Sequence, residues 1–66
     1  MSVYQDKKKA EVARYVVARH AIHQRTKPRG AWTKAYMDAV AKYELSYATI
    51  VRYTNWYKAR ERRRNE

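Results

Sequence analysis

Sixteen Lys and Arg stand against six Asp and Glu in 66 residues, a net charge of +10. A chain of this length makes one small domain and buries only about 60% of the surface its unfolded form exposes, which leaves little stability for a water-excluded catalytic cavity. It carries no Ser-His-Asp grouping, paired carboxylates, Gly-rich phosphate loop or zinc motif, so neither catalysis nor a cofactor is assigned.

Ten Ala and seven Tyr supply most of the apolar content, with no Phe and a single Leu, Leu45. Leu, Ile and Val together number nine, which with this charge falls on the disordered side of the compositional boundary. Against disorder stand seven Tyr and two Trp, one Gly, one Pro and a clear helical period. The expectation is a folded helical domain whose core is built from Tyr, Trp, Val and Ala, each buried Tyr keeping its hydroxyl near the surface. The absence of Cys fits a reducing compartment. The polar start Met1 to Asp6, and a longest apolar run of only Tyr15 to Ala18, argue against a signal peptide or membrane span. A soluble, intracellular protein is expected, cytoplasmic or nucleoid-associated.

The first helix is expected over about 6–24, started by Asp6 or Ser2, with Val12, Tyr15, Val16, Arg19 and Ile22 on one stripe. Its basic triplet Lys7-Lys8-Lys9 sits where the helix macrodipole would prefer acids, so these lysines serve something else or the start frays. Thr26-Lys27-Pro28-Arg29-Gly30 ends it, because Pro28 disfavours helix at Lys27 and Gly30 permits a positive φ. A second helix is expected over about 33–44, with Thr33 as N-cap and a period through Tyr36, Ala39, Val40 and Tyr43. Ser46 is the N-cap of a third, over about 46–62, with Leu45 before it as the apolar staple residue and Ile50, Tyr53 and Tyr57 facing inward. A basic C-terminal end, residues 58–66, closes the chain with cations at the favourable helix terminus. The fold class read here is all-α, a compact three-helix domain.

Ala39, Tyr43, Leu45, Ile50 and Tyr53 fall at the offsets that hold a scaffold helix, a tight turn and a recognition helix together. The stretch Tyr36 to Asn55 thus resembles the helix-turn-helix family of DNA-binding proteins. Val40 stands where that family usually has Ala, and Glu44 where its turn usually has Gly. The order Leu45, Ser46, Ile50, Tyr53, Arg60, Arg62 is similar, more loosely, to the third helix of homeodomain-like proteins. Trp56 occupies the place of that family's adenine-reading Asn, with Asn55 one residue early, so that contact is not carried over.

The resemblance implies a third helix lying in the major groove of double-stranded DNA. Ser46, Tyr47, Ala48, Val51, Arg52 and Asn55 share its outer surface: Arg52 suits guanine, Asn55 suits adenine, and Ala48 or Val51 suits a thymine methyl. Phosphates would be met by Lys27, Arg29, Lys34, Lys58, Arg60, Arg62, Arg63 and Arg64. Packing of Ala48 and Val51 on the first helix or a second subunit is the competing account of those two residues. Trp56 and the tyrosines suit unpaired bases, so an RNA or single-strand binder is an alternative. An interaction module whose basic, Tyr-rich surface docks an acidic protein is another. Trp32, beside Gly30, reads as a plug over the corner between the first two helices. His20 and His23 are spaced to chelate a metal, yet without Cys or a third ligand they read as a structural pair. A homodimer stays open, since no zipper or fourth helix marks an interface.

Overall fold

The helical pattern breaks twice, and both breaks contain a residue in left-handed backbone space. A computed structural model of the chain describes residues 3–64, and side chains from 6 to 63. It comprises α1 (Val3–Thr26), α2 (Ala31–Tyr43) and α3 (Tyr47–Arg64), with no strand among the described residues. Between α1 and α2, Gly30 has φ 77° and ψ 11°, the conformation a type II turn asks of its third residue, and the Ala31 N–H donates to the Pro28 carbonyl at 3.3 Å. Between α2 and α3 lie only Glu44, Leu45 and Ser46. Glu44 adopts φ 56° and ψ 39°, and its N–H donates to the Val40 carbonyl at 2.9 Å, the αL cap that usually belongs to glycine.

Each helix packs on the other two. The Cα envelope is flat, 37 × 32 × 15 Å, so few side chains can be wholly enclosed. Those that are come chiefly from α1 (Val12, Ala13, Val16), α2 (Ala31, Ala35, Ala39) and α3 (Ile50). The α2 row is all alanine at four-residue spacing, a strip with no side chain beyond Cβ, which lets the helices approach closely. Tyr15, Trp32, Tyr36, Val40, Tyr43, Leu45 and Tyr53 ring this centre half-buried. Thr54 is the one buried polar residue among those described, and its hydroxyl donates to the Ile50 carbonyl at 2.9 Å one turn back.

Several local expectations are corrected. The first helix runs from Val3, so Lys7-Lys8-Lys9 fall beyond its first turn and escape the strongest dipole penalty; Asp6 is inside the helix, and Ser2 lies outside the described residues. It ends at Thr26 rather than near 24. The second helix begins at Ala31, two residues before the expected start, because Gly30 rather than Thr33 is its N-cap, without a side-chain cap bond. Its last residue is Tyr43 and not 44, and α3 runs from Tyr47 to Arg64, past the expected end at 62. Ile22, placed on the buried stripe by its spacing, is 52% exposed because the inward line continues instead through His20 and His23, both half-buried. On α3 the buried line is Ile50 and Thr54, while Tyr53 and Tyr57 flank it half-buried.

Candidate nucleic-acid interface

Ser46 fixes where α3 begins. Its hydroxyl accepts the Thr49 N–H at 3.2 Å and bonds the Thr49 hydroxyl at 2.8 Å, and its carbonyl takes the Ile50 N–H at 3.1 Å. With the start set, helical geometry sets the rest: Arg52 lies opposite the midpoint of the buried pair Ile50 and Thr54. Ala48, Arg52, Asn55, Ala59, Arg62 and Arg63 are all exposed along that outward side. Val51 is half-buried towards α2, and Tyr47 sets its ring edge-on to Tyr36 at 5.5 Å. Burial, and secondarily the neighbouring Tyr47, raises the Tyr36 hydroxyl above its ordinary pKa. Of the six residues expected to meet bases, Ala48, Arg52 and Asn55 therefore share one free surface. Val51 and Tyr47 border it on the α2 side, and the Ser46 hydroxyl is engaged in the cap.

The expected phosphate ligands divide into separate groups. Lys27 and Arg29 are exposed in the α1–α2 loop, and Lys34 is exposed in the first turn of α2. Lys58 turns towards α2 and lies with Nζ 3.7 Å from the Trp32 ring centroid. Arg60 turns the other way, its guanidinium carbon 4.8 Å from the Trp56 ring. Arg62 and Arg63 continue the outward side, and the Arg64 side chain lies outside the described residues.

The corner at Trp32 is sealed. The His20 imidazole stacks on the indole at 3.7 Å and 14°, and two groups each 3.7 Å from one ring centroid cannot share a face, so His20 and Lys58 sandwich it. Residues of all three helices meet in this stack, with Tyr36 beside it at 5.9 Å. Below it, Asp38 Oδ2 accepts from His23 Nε2 at 2.7 Å and from Arg19 Nε at 3.0 Å. The His23 hydrogen bond, then the Arg19 hydrogen bond and charge, hold Asp38 below the usual carboxylate range against the opposing pull of desolvation. His20 and His23 are thus employed separately, and no group of three metal-ligating side chains occurs among the described residues.

Two acidic side chains, Asp38 and Glu11, are engaged away from the outward side of α3. Asp38 is tied to α1, while Glu11 pairs with Lys8 at 4.0 Å and accepts a hydrogen bond from Tyr43. Burial, then that carboxylate, pushes the Tyr43 hydroxyl above its ordinary pKa. Lys9, absent from the expected contacts, lies 5.5 Å from the Trp56 ring and 5.9 Å from the Tyr53 ring, which brings the α1 triplet alongside α3. Only the misfit of that triplet with its helix dipole hinted at this in the sequence.

No helix among the described residues is long and apolar enough to cross a membrane. No protein-family model, curated protein or solved structure matches the chain. The functional reading therefore rests on the chemistry of these surfaces.

Proposed function

We propose that the chain is a small DNA-binding protein that lays α3 in the major groove, acting as a transcriptional regulator or as an accessory factor in DNA architecture or recombination. The observation that carries this reading is the free outward side of α3, where Ala48, Arg52 and Asn55 stand exposed behind a three-residue, Ser46-capped turn. An Arg and an Asn one turn apart match the bidentate edges of guanine and adenine, and the exposed methyl of Ala48 suits a thymine methyl. Lys27, Arg29, Lys34, Arg60, Arg62 and Arg63 supply phosphate contacts on either side, Arg64 extends them, and Lys58 joins them if it leaves Trp32. Val51, Tyr47 and Ser46 frame the reading row and orient it.

The test is selection from a randomised duplex pool at two salt concentrations, with single-stranded DNA and an RNA hairpin in parallel. An enriched duplex motif and a log–log salt slope of roughly −5 to −7, from about five to eight phosphate contacts, are expected. Arg52→Ala is expected to relax preference at one base pair, at about 1–3 kcal/mol, whereas Arg63→Ala weakens all sequences alike and flattens the slope by about one. If Arg52→Ala selects the same motif with the same stringency as the parent, α3 is not the reader. Preference for unpaired strands would transfer the function to the aromatics and the basic end. Failure to retain any nucleic acid at physiological salt would leave the positive surface to an acidic protein partner. A motif with two-fold symmetry would identify the binding unit as a dimer.

A further inference from the structure

Trp56 sits at the border of the outward side of α3, next to Asn55, half-buried on the flank that faces α1. Two cations from different helices converge on it: Lys9 Nζ at 5.5 Å and the Arg60 guanidinium at 4.8 Å from the ring centroid. They lie at most roughly 10 Å apart, about one screening length at 0.1 M salt, so their mutual repulsion is only partly screened. Neither belongs to an ion pair given by the described residues. Of the lysine triplet, Lys8 is committed to Glu11 and to the Tyr43 ring, which leaves Lys9 as the member turned to α3. A ring face holds an exposed cation only weakly, and an anion reached by both would offset their repulsion.

We propose that Trp56, Lys9 and Arg60 form a second DNA contact that grips the sugar–phosphate backbone of one strand beside the reading row. This rests on the DNA-binding reading above and adds α1 to it. The indole offers a flat apolar surface to a deoxyribose, and the ammonium and guanidinium offer donors to phosphates on either side. Two cations flanking one ring suit a backbone, which meets both with successive phosphates, better than a single base, which carries no charge to offset their repulsion. The adjoining cleft, lined by Ala10, Arg14, Tyr57, Arg60 and Glu61, carries a carboxylate that would repel a phosphate, so the contact lies on the Trp56 side of Arg60. By anchoring α1 and α3 to one strand, the contact sets the rotation of α3 about its own axis and hence which of Arg52 and Asn55 meets a base edge squarely.

The chain's two indole N–H groups give separate signals in a nitrogen-15 correlation spectrum, assigned through Trp56→Phe. On titration with mixed-sequence duplex DNA the Trp56 signal is expected to move and the sandwiched Trp32 signal to stay. Lys9→Gln and Arg60→Gln, with parental helicity and melting checked first, are each expected to weaken duplex binding about five- to tenfold at 0.1 M salt. The loss should be the same for every sequence, with the salt slope flatter by about one, and Lys9→Arg is expected to restore it. If the parent binds duplex but both variants keep its slope and the Trp56 signal stays put, this contact is wrong and the α3 reading stands. If the parent binds no duplex, both fall together. A larger Trp56 shift with single-stranded than with duplex DNA would replace the backbone contact by base stacking.

Discussion

Trp32 and Trp56 are built from the same parts and end in opposite situations. Each indole is approached by two nitrogen-bearing side chains, one of them from α1: His20 and Lys58 for Trp32, Lys9 and Arg60 for Trp56. At Trp32 both partners stand at 3.7 Å and cover both faces, whereas at Trp56 they stand at 5.5 and 4.8 Å and leave the ring beside exposed Asn55. A cation near a ring is therefore not one kind of feature. Closed on both faces and shared by three helices it is a fastening; set loosely at the margin of a free helix side it is a surface with charge to offer.

The sharpest way to break this distinction is to remove each ring in turn and follow unfolding by denaturant. Trp32→Ala deletes the centre of a stack that joins all three helices, and because the ring is only half-buried a loss of about 2–3 kcal/mol is expected, below the full cost of a buried Trp. Trp56→Ala is expected to cost about 1 kcal/mol or less, since it gives up partial burial and loose cation contacts. For a domain this small the first change takes much of the total stability. Equal losses from the two variants would mean that Trp56 is as much a fastening as Trp32, and would leave little reason to assign it to DNA.

Asp38 sharpens the comparison from the other side, because it belongs to the sealed end alone. Its folded-state pKa is depressed, so its contribution is present above the unfolded carboxylate value near 4 and is lost as pH falls through the folded value. Acid should then loosen the α1–α2 corner. Asp38→Asn is expected to cost about 1 kcal/mol at pH 7, with a third of the side chain open to solvent, and to flatten the fall in stability below about pH 4. Denaturation midpoints of parent and variant between pH 7 and pH 3 check this. A variant whose midpoint falls with acid as steeply as the parent's would show that other carboxylates govern the acid limb.

Much of this architecture is legible in the sequence, and what is not has a common cause. The three helices, the break at Pro28 to Gly30, the Ser46 cap and the role of Trp32 at its corner follow from local patterns, because each depends on residues within a turn or two of one another. The partners of both indoles come from other helices, and no spacing rule connects Lys9 with Trp56 or Arg19 and His23 with Asp38. Core membership was legible for Val12, Val16, Ala39 and Ile50 and failed for the large rings, for a related reason. Tyr36, Tyr43, Tyr53 and Tyr57 carry the visible period, yet a flat molecule with its thinnest dimension at 15 Å encloses alanines and Thr54 and leaves the large rings at the rim. Of the proposed reading row, the exposure of Ala48, Arg52 and Asn55 follows from helical phase, whereas the half-burial of Val51 and the Tyr36–Tyr47 contact depend on how α2 crosses α3.

The smallest expected change tests the hinge between the two ends. Glu44 turns the chain out of α2 with φ 56°, a conformation that costs a residue with a Cβ about 1–2 kcal/mol. Glycine removes that strain but gives the unfolded chain more freedom, so Glu44→Gly is expected to stabilise the domain by only about 0.5–1 kcal/mol. Its side chain is exposed and takes no part in either indole cluster, so both indole N–H signals should keep their positions while the melting temperature rises. A change confined to the Trp56 signal would show that the turn acts on the open end alone. Destabilisation instead would mean that the glutamate favours this turn through contacts of its own, and that the three-residue connection owes its geometry to more than the αL residue at its head.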